Sequence, residues 1–221
     1  MSSTFVMADA ATVRKKVVDA YRAGGFCEIV LRVLYKLARA LVATNSAYWF
    51  ERDLEDDCAL TPTPLGVRVN FDAEEKIVDW MRSLGKEYMV HARELEVARE
   101  EKHLIGAAEC GDEIVGYVKV GYRRVFIQDF GKTMRFPEGV AFIYDTYVTP
   151  ERRGQGVAGC LIRSAADQLR KRGFRLLRCH IPPWNSRSIS AFQKCGFRKV
   201  KYIRYRRALG FSIFSFDPER L

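Results

Sequence analysis

The apolar positions change their period several times along the chain, and each change predicts an element. Two alternating runs, Leu104–Cys110 and Glu113–Val120, meet at Gly111-Asp112, the pattern of an antiparallel hairpin. Val140–Val148 is rich in β-branched and aromatic residues and stops at Pro150, as a buried strand does. An amphipathic helix follows Gly156, then a strand over Phe174–Ile181 and a helix within Ser188–Phe197. Upstream, Val67–Phe71 predicts a short strand, and Asp72–Lys102 a helical region interrupted near Gly85. Asp72 with Glu75 three residues later has capping-box spacing. Nearer the N-terminus, Met7–Arg22 and Phe26–Ala43 predict two helices separated by Gly24-Gly25. In the second, Arg32, Lys36 and Arg39 lie opposite Ile29, Val30, Val33, Leu34, Leu37 and Leu41. Such a helix can pack on its own domain, on a partner copy or on an anionic membrane, and its stripe has the ordinary width of a packed globular helix. Tyr48-Trp49-Phe50 predicts core, or a wall on the substrate side.

The turn between the Val140–Val148 strand and its helix carries the strongest chemical signal. Gly154 and Gly156 let a backbone approach a ligand closely, and the first helical amides have no intrahelical acceptor. With the helix dipole and Arg152 and Arg153, they suit a pyrophosphate. Three motifs compete. A Walker A loop requires Lys-Ser or Lys-Thr after its last glycine, and Cys160-Leu161 excludes it. Gly154-Gln-Gly156-Val-Ala-Gly159 satisfies Gly-x-Gly-x-x-Gly, yet the next strand, Phe174–Ile181, lacks the ribose-binding carboxylate of a dinucleotide fold.

The third reading, Arg153-x-x-Gly156-x-Ala158, resembles the acyl-CoA pyrophosphate loop of the GNAT superfamily of N-acyltransferases. Ile181-Pro-Pro-Trp-Asn185 and Ser188–Phe197, ending in Gly-Phe, are similar to the family's fifth strand, its Asn and its closing helix; Leu104–Val120 is similar to its hairpin. The resemblance spans roughly Gly66 to Arg207. It implies an α/β fold: a mixed, mostly antiparallel central sheet flanked by helices, with an N-terminal helical extension over residues 1–64, an acyltransferase domain over 65–208 and a C-terminal tail over 209–221.

Composition fits a soluble globular chain. The 221 residues are 48% hydrophobic, enough for one sizeable core, without an uncharged apolar run of membrane-spanning length or a signal-peptide layout, so a cytoplasmic protein is expected. The six cysteines are scattered without a Cys-x-x-Cys pair, so no metal site is expected. The net charge of +10 is uneven. Residues 150–221 hold 17 lysines and arginines against 4 acidic residues, +13, which leaves −3 for residues 1–149. A basic cofactor half would attract the phosphates of coenzyme A; nucleic acid or an anionic membrane is the rival partner, but no nucleic-acid motif accompanies the charge.

The resemblance implies acetyl-CoA, or another acyl-CoA, as co-substrate, and an amine of a small molecule, sugar or peptide as acceptor; a homodimer is compatible with it. Tyr147, Val148 and Thr149 would run along the pantetheine, and the Val148 amide would polarise the thioester carbonyl. Arg153, Gly154, Gln155, Gly156, Val157 and Ala158 would hold the pyrophosphate, and Asn185 and Phe192 would contact the cofactor. Phe192 stands where many members have the tyrosine that protonates the leaving thiolate; Tyr144 or Tyr147 could replace it. Asp145 and Glu138 are the candidate bases, with His180 a weaker one, and strict alternation sets Asp145 opposite Phe142, Tyr144 and Thr146. A longer-chain acyltransferase, an acyl-CoA sensor and a basic adaptor remain as alternatives.

Overall fold

A computed structural model describes residues 43–56, 66–86, 91–208 and 211–214. Among these residues ten strands and four α-helices follow in the order β1 (Ala43–Asp53), β2 (Val67–Phe71), α1 (Glu74–Ser83), α2 (Ala92–Glu101), β3 (Leu104–Cys110), β4 (Glu113–Tyr122), β5 (Arg124–Ile127), β6 (Lys132–Arg135), β7 (Val140–Val148), α3 (Val157–Lys171), β8 (Leu176–Ile181), α4 (Ser186–Lys194), β9 (Arg198–Ala208) and β10 (Phe211–Phe214). Eight strands form one sheet in the order β10-β9-β1-β8-β7-β4-β3-β2, while β5 and β6 make a separate hairpin. Every neighbouring pair in the large sheet is antiparallel except β7 with β8. This is the expected mixed, mostly antiparallel sheet.

Helix α3 lays Val157, Leu161, Ile162, Ala165 and Leu169 against one sheet face, where Leu104, Val118, Ala141, Ile143 and Cys179 point. Complete burial of a side chain such as Leu161 or Ile162 contributes about 1.5–3 kcal/mol. The opposite face is divided. Helices α1 and α2 cover Ile105, Ala107 and Tyr117. The β5–β6 hairpin covers Trp49, Phe142, Ile203 and Tyr205 with Val125, Phe130 and Met134. The two covers touch where His91 stacks on Phe126 and Glu100 pairs with Arg124 at 3.0 Å.

Three expectations change. Ala43–Asp53, placed by sequence within a helical extension, is a strand at the middle of the sheet, and Trp49 and Phe50 are wholly buried core. Phe211–Phe214, expected in a tail, adds an edge strand to β9. The capping box at Asp72 does not form: Asp72 has φ 63°, the α1 N-cap is Ala73, and no side chain caps it. The interruption at Gly85 is present, with φ 63°. The helices expected over Met7–Arg22 and Phe26–Ala43 lie outside the described residues, apart from Ala43 itself, which begins β1.

Candidate functional site

The sheet is forked at its centre. β7 and β8 run paired from Val140 with Leu176 to Ile143 with Cys179, and there the pairing ends. Beyond that point β8 stays on β1 as far as Ile181, and β7 stays on β4 as far as Val148. A gap therefore opens between Tyr144–Val148 and the end of β8. The Thr149 N–H donates to Val115 O of β4 at 3.0 Å. Since successive amides of a strand point in opposite directions, the N–H groups of Thr146 and Val148 are aimed into the gap. Val148 O also points there and accepts from Arg153 Nε at 3.1 Å. Gly116 faces Val148 across the ladder, and a Cβ at that position would meet Tyr147 O at 2.6 Å, so this close strand approach requires glycine.

At the end of the gap the chain turns through a short 3-10 segment, Pro150–Arg152, and enters α3 through Gly154 at φ 79° and Gly156 at φ 84°. Gln155 Nε2 donates to Glu151 O at 3.0 Å and braces the turn. The first helical bond is Cys160 N–H to Gly156 O at 3.0 Å, which leaves the amides of Val157, Ala158 and Gly159 without intrahelical acceptors. These are the donors an anionic group would use. Arg153 lies beside them, with its guanidinium 5.9 Å from the Tyr147 ring centre.

Asn185 and Phe192 have visible structural work. Asn185 Oδ1 accepts from the Ser188 N–H at 3.2 Å and caps α4. Phe192 is buried edge-on against Phe197, with 5.0 Å between ring centres. The neighbouring Trp184 is 81% exposed beside this cap, a large apolar surface that the sequence pattern did not single out.

On the sheet face away from α3, β7 carries a bulge: Lys119 pairs with Asp145 and Val120 with Ile143, so Tyr144 is the extra residue. The bulge corrects the alternation read from sequence. Tyr144 and Asp145 share this face, and only Thr146 turns to the other. Asp145 Oδ2 accepts from Tyr117 Oη at 2.7 Å and from Lys119 Nζ at 3.2 Å, while Lys119 Nζ also pairs with Glu94 Oε1 at 2.7 Å. Glu94 and Lys119 are both about 5% exposed. Burial pushes the Glu94 carboxyl up, against the opposing pull of Lys119. Burial pulls the Lys119 ammonium down, but Asp145 and Glu94 together outweigh it and the net shift is upward. One cation shared between two acids explains the asymmetry. Beside this triad, Trp80, Tyr117 and Tyr147 form an aromatic group with ring centres 5.9–6.4 Å apart, and the Lys86 ammonium sits 4.5 Å from the Tyr147 ring centre and bonds its hydroxyl.

Glu138 is not part of this arrangement. It occupies an exposed turn before β7, roughly 20 Å along the strand from Asp145 at 3.3 Å per residue. His180 sits on β8 at the first position beyond the paired segment and meets Asp129 at 2.9 Å. The residues sequence reasoning missed are Lys119, Glu94, Tyr117 and Asp129, which come from separate elements.

His103 closes the back of the site. Its Nε2 faces Arg124 O at 2.9 Å, so that nitrogen carries the proton and Nδ1 accepts from Tyr144 Oη at 3.3 Å. Burial lowers its pKa from 6.5 to about 4. The unfolded chain therefore binds a proton near pH 6.5 that the folded state refuses until about pH 4. Stability is complete above 6.5 and falls as the pH drops toward 4, by about 3 kcal/mol in all. Urea denaturation at pH 7 and pH 4.5 should show this slope, and His103→Gln should flatten it. Equal slopes in both proteins would remove His103 from the account.

Against known proteins, the family model described as "Acetyltransferase (GNAT) family" matches residues 70–197. Thialysine N-epsilon-acetyltransferase of Bos taurus is 29% identical over 80 residues, 36% of this chain and 44% of that protein. Aminoglycoside N(6')-acetyltransferase type 1 of Klebsiella aerogenes is 30% identical over 115 residues, 52% of this chain and 71% of that protein. The chain thus spans less than half of the thialysine relative's length. Among solved structures, a GCN5-related N-acetyltransferase from Sphaerobacter thermophilus shares the fold, with a TM-score of 0.54 at 13% identity, covering 84% of this chain and 57% of that one.

Proposed function

The chain belongs to the GNAT family of acetyltransferases, and from that premise we propose that it transfers an acetyl group from acetyl-CoA to a primary amine of a small molecule or peptide. The observation that carries the reading is the fork: a gap in the sheet bordered by free amides of β7 and ending at the bare N-terminus of α3. Residues on either side fit the co-substrate. The amides of Val157, Ala158 and Gly159, with Arg153 and the glycine turn, would hold the pyrophosphate. The Thr146 and Val148 amides, fixed by the sheet, would donate to the thioester carbonyl as negative charge develops on it, without reorganisation. Tyr147 and Thr149 spend their own amides on β4, so their part is to hold the strand edge in place.

The acceptor would approach from the face covered by α1, α2 and the β5–β6 hairpin. Asp145 has one oxygen committed to Lys119 and Tyr117, which makes it a better anchor for a cationic acceptor than a proton acceptor. The aromatic group of Trp80, Tyr117 and Tyr147 offers cation–π contact beside it, and Lys86 already places an ammonium there. Burial raises the Tyr144 phenol well above its ordinary value, and its proton is directed at His103, so Tyr144 is a reluctant acid. Phe192 has no proton to give. Thialysine and aminoglycoside amines, the acceptors named in the relatives, are the first to try.

The test is thiol release from acetyl-CoA with a panel of amines that includes both. Acetylated product with any of them is the expected result. Tight coenzyme A binding with no turnover on any amine would convert the reading to an acyl-CoA sensor, and absence of binding would end it.

A further inference from the structure

At the apex of the fork, one residue beyond the last paired position of β8, stands an imidazole with an unexplained nitrogen. His180 Nε2 lies 2.9 Å from Asp129 Oδ2. A carboxylate only accepts, so Nε2 carries the ring proton and Nδ1 presents a lone pair. That Nδ1 is buried and has no protein partner, although the side chain is only 4% exposed. Buried polar atoms without partners are few in folded proteins and costly, roughly 1–3 kcal/mol each, so this one requires a reason.

The surroundings hold the ring in this pose. It lies parallel to Phe142 at an interplanar angle of 8°, with 5.8 Å between centres, and its other neighbour is Phe130 at 4.6 Å. Asp129 and Phe130 both belong to the turn of the β5–β6 hairpin, which is packed onto the sheet through Phe130. The register places His180 across the fork from Tyr144, on the same face as Asp145. The fork therefore sets His180 beside the gap in which the thioester would lie, on the face where Asp145 would anchor an amine.

We propose that His180, held in one tautomer by Asp129, is the catalytic base of the acetyl transfer, with Nδ1 as the accepting atom. The inference rests on the acetyltransferase reading above. The amine nitrogen attacks the thioester carbonyl carbon; a C–N bond forms, the C–S bond breaks, and its electron pair leaves on sulfur. The proton lost by nitrogen goes to Nδ1, and the imidazolium returns it to the thiolate, which yields amide and free thiol with no other reactant. Returning the proton this way supplies the acid that Phe192 lacks. Asp129 stabilises the imidazolium through Nε2, and its own carboxyl is held below the usual range chiefly by the hydrogen bond from His180.

Among the described residues, the ionisable groups that share this face on the elements packed around the ring are Asp129 and Lys132 of the hairpin, Tyr144 and Asp145 of β7, Arg178 with its partner Glu51 on β8 and β1, and Lys201 and Tyr205 on β9. A second imidazole, His103, meets Tyr144 from the far side at 3.3 Å, but burial lowers its pKa to about 4, and none of the other groups is of a type that ordinarily changes charge between pH 5 and 8.

The experiment is the pH dependence of kcat/KM with acetyl-CoA and thialysine or an aminoglycoside, together with acetyl-CoA hydrolysis, in which water is the acceptor and no amine need be known. In wild type the rate should rise with pH along an acidic limb and then level off. His180→Gln should lower kcat by at least roughly 100-fold in both reactions, abolish the acidic limb and leave calorimetric acetyl-CoA affinity within about twofold. Asp129→Asn should keep the limb but move it to lower pH, because a negative neighbour favouring the imidazolium is gone. Wild-type kcat or an intact acidic limb in His180→Gln, with acetyl-CoA still bound, overturns this inference and leaves the acetyltransferase reading standing. A wild-type protein that binds no acetyl-CoA sinks both.

Discussion

Replacing Gly156 with aspartate should reduce coenzyme A affinity by roughly 10²–10³-fold while leaving the chain folded. Gly156 sits at φ 84° and ψ 0° as the N-cap of α3, a left-handed conformation that costs a residue with a side chain about 1–2 kcal/mol. A carboxylate there would lie within a few ångströms of the proposed diphosphate site. At a partly exposed position two unit charges about 4 Å apart interact by up to about 4 kcal/mol, and solvent screening roughly halves that. The diphosphate carries about two negative charges, so the repulsion gives about 3–4 kcal/mol against binding, whereas the strain is carried by free and bound protein alike and counts only against stability. Stability should move less. Negative charge at a helix N-terminus returns about 0.3–1 kcal/mol against the strain, and the bond from the Cys160 N–H to Gly156 O is a main-chain one that the substitution keeps. Gly156→Ala isolates the strain and should lower stability by about 1–2 kcal/mol while keeping coenzyme A affinity within a few-fold. Isothermal titration with coenzyme A, alongside thermal melts, separates the two quantities. Unchanged affinity in Gly156→Asp would show that the diphosphate rests elsewhere and would take the cofactor assignment with it.

Much of this candidate site is local in the chain, which is why its elements were legible in the sequence. The strand Val140–Val148, the glycine turn and α3 are consecutive, and their chemistry depends on residues a few positions apart. The Gly111-Asp112 turn was legible for the same reason, and Gly111 adopts φ 61° there. The features that were not legible depend on partners far away in sequence. Tyr48-Trp49-Phe50 reads as an aromatic cluster, but the strands that make it a central strand, β8 and β9, lie more than 120 residues downstream. Lys119 falls between Val118 and Val120, as an outward residue of an alternating strand would. Only α2, brought over that face, buries it against Glu94.

The bulge at Tyr144 shows a different limit. A period-two argument assumes that no residue is inserted, and a single extra residue reverses every assignment beyond it. Parity set Tyr144 and Asp145 on opposite faces; the register Lys119 with Asp145 and Val120 with Ile143 puts them on one. Nothing in Ile143-Tyr144-Asp145 marks the insertion locally. The same blindness applies to His180, whose support in the sequence was position alone. Asp129, the residue that gives it a defined tautomer, comes from a hairpin turn 51 residues earlier.

Lys119→Met should be the most destabilising substitution in the site, by about 3–5 kcal/mol at pH 8. Glu94 and Lys119 are both nearly inaccessible, and their 2.7 Å contact is the main compensation for taking either charge out of water. Removing the ammonium leaves Glu94 buried as an anion, with Asp145 also relieved of its counterion. Glu94 can escape by taking up a proton, and burial already pushes its carboxyl above the usual range. Its folded-state pKa then exceeds the unfolded value still further. For such a group the destabilisation appears as the pH rises above the unfolded pKa, so the deficit of Lys119→Met should shrink at pH 5 and grow toward pH 8. Adding Glu94→Gln should recover much of the loss, because it replaces a buried anion by a neutral group of the same shape. Urea denaturation of the two single variants and the double variant at both pH values gives the coupling directly. A Lys119→Met protein within about 1 kcal/mol of wild type at pH 8 would mean that water reaches the pair and that the triad is not the dry electrostatic floor assigned to it. Recovery of stability in the double variant without recovery of acceptor binding would instead separate the two duties of Lys119, neutralising Glu94 and orienting Asp145 toward an incoming cation.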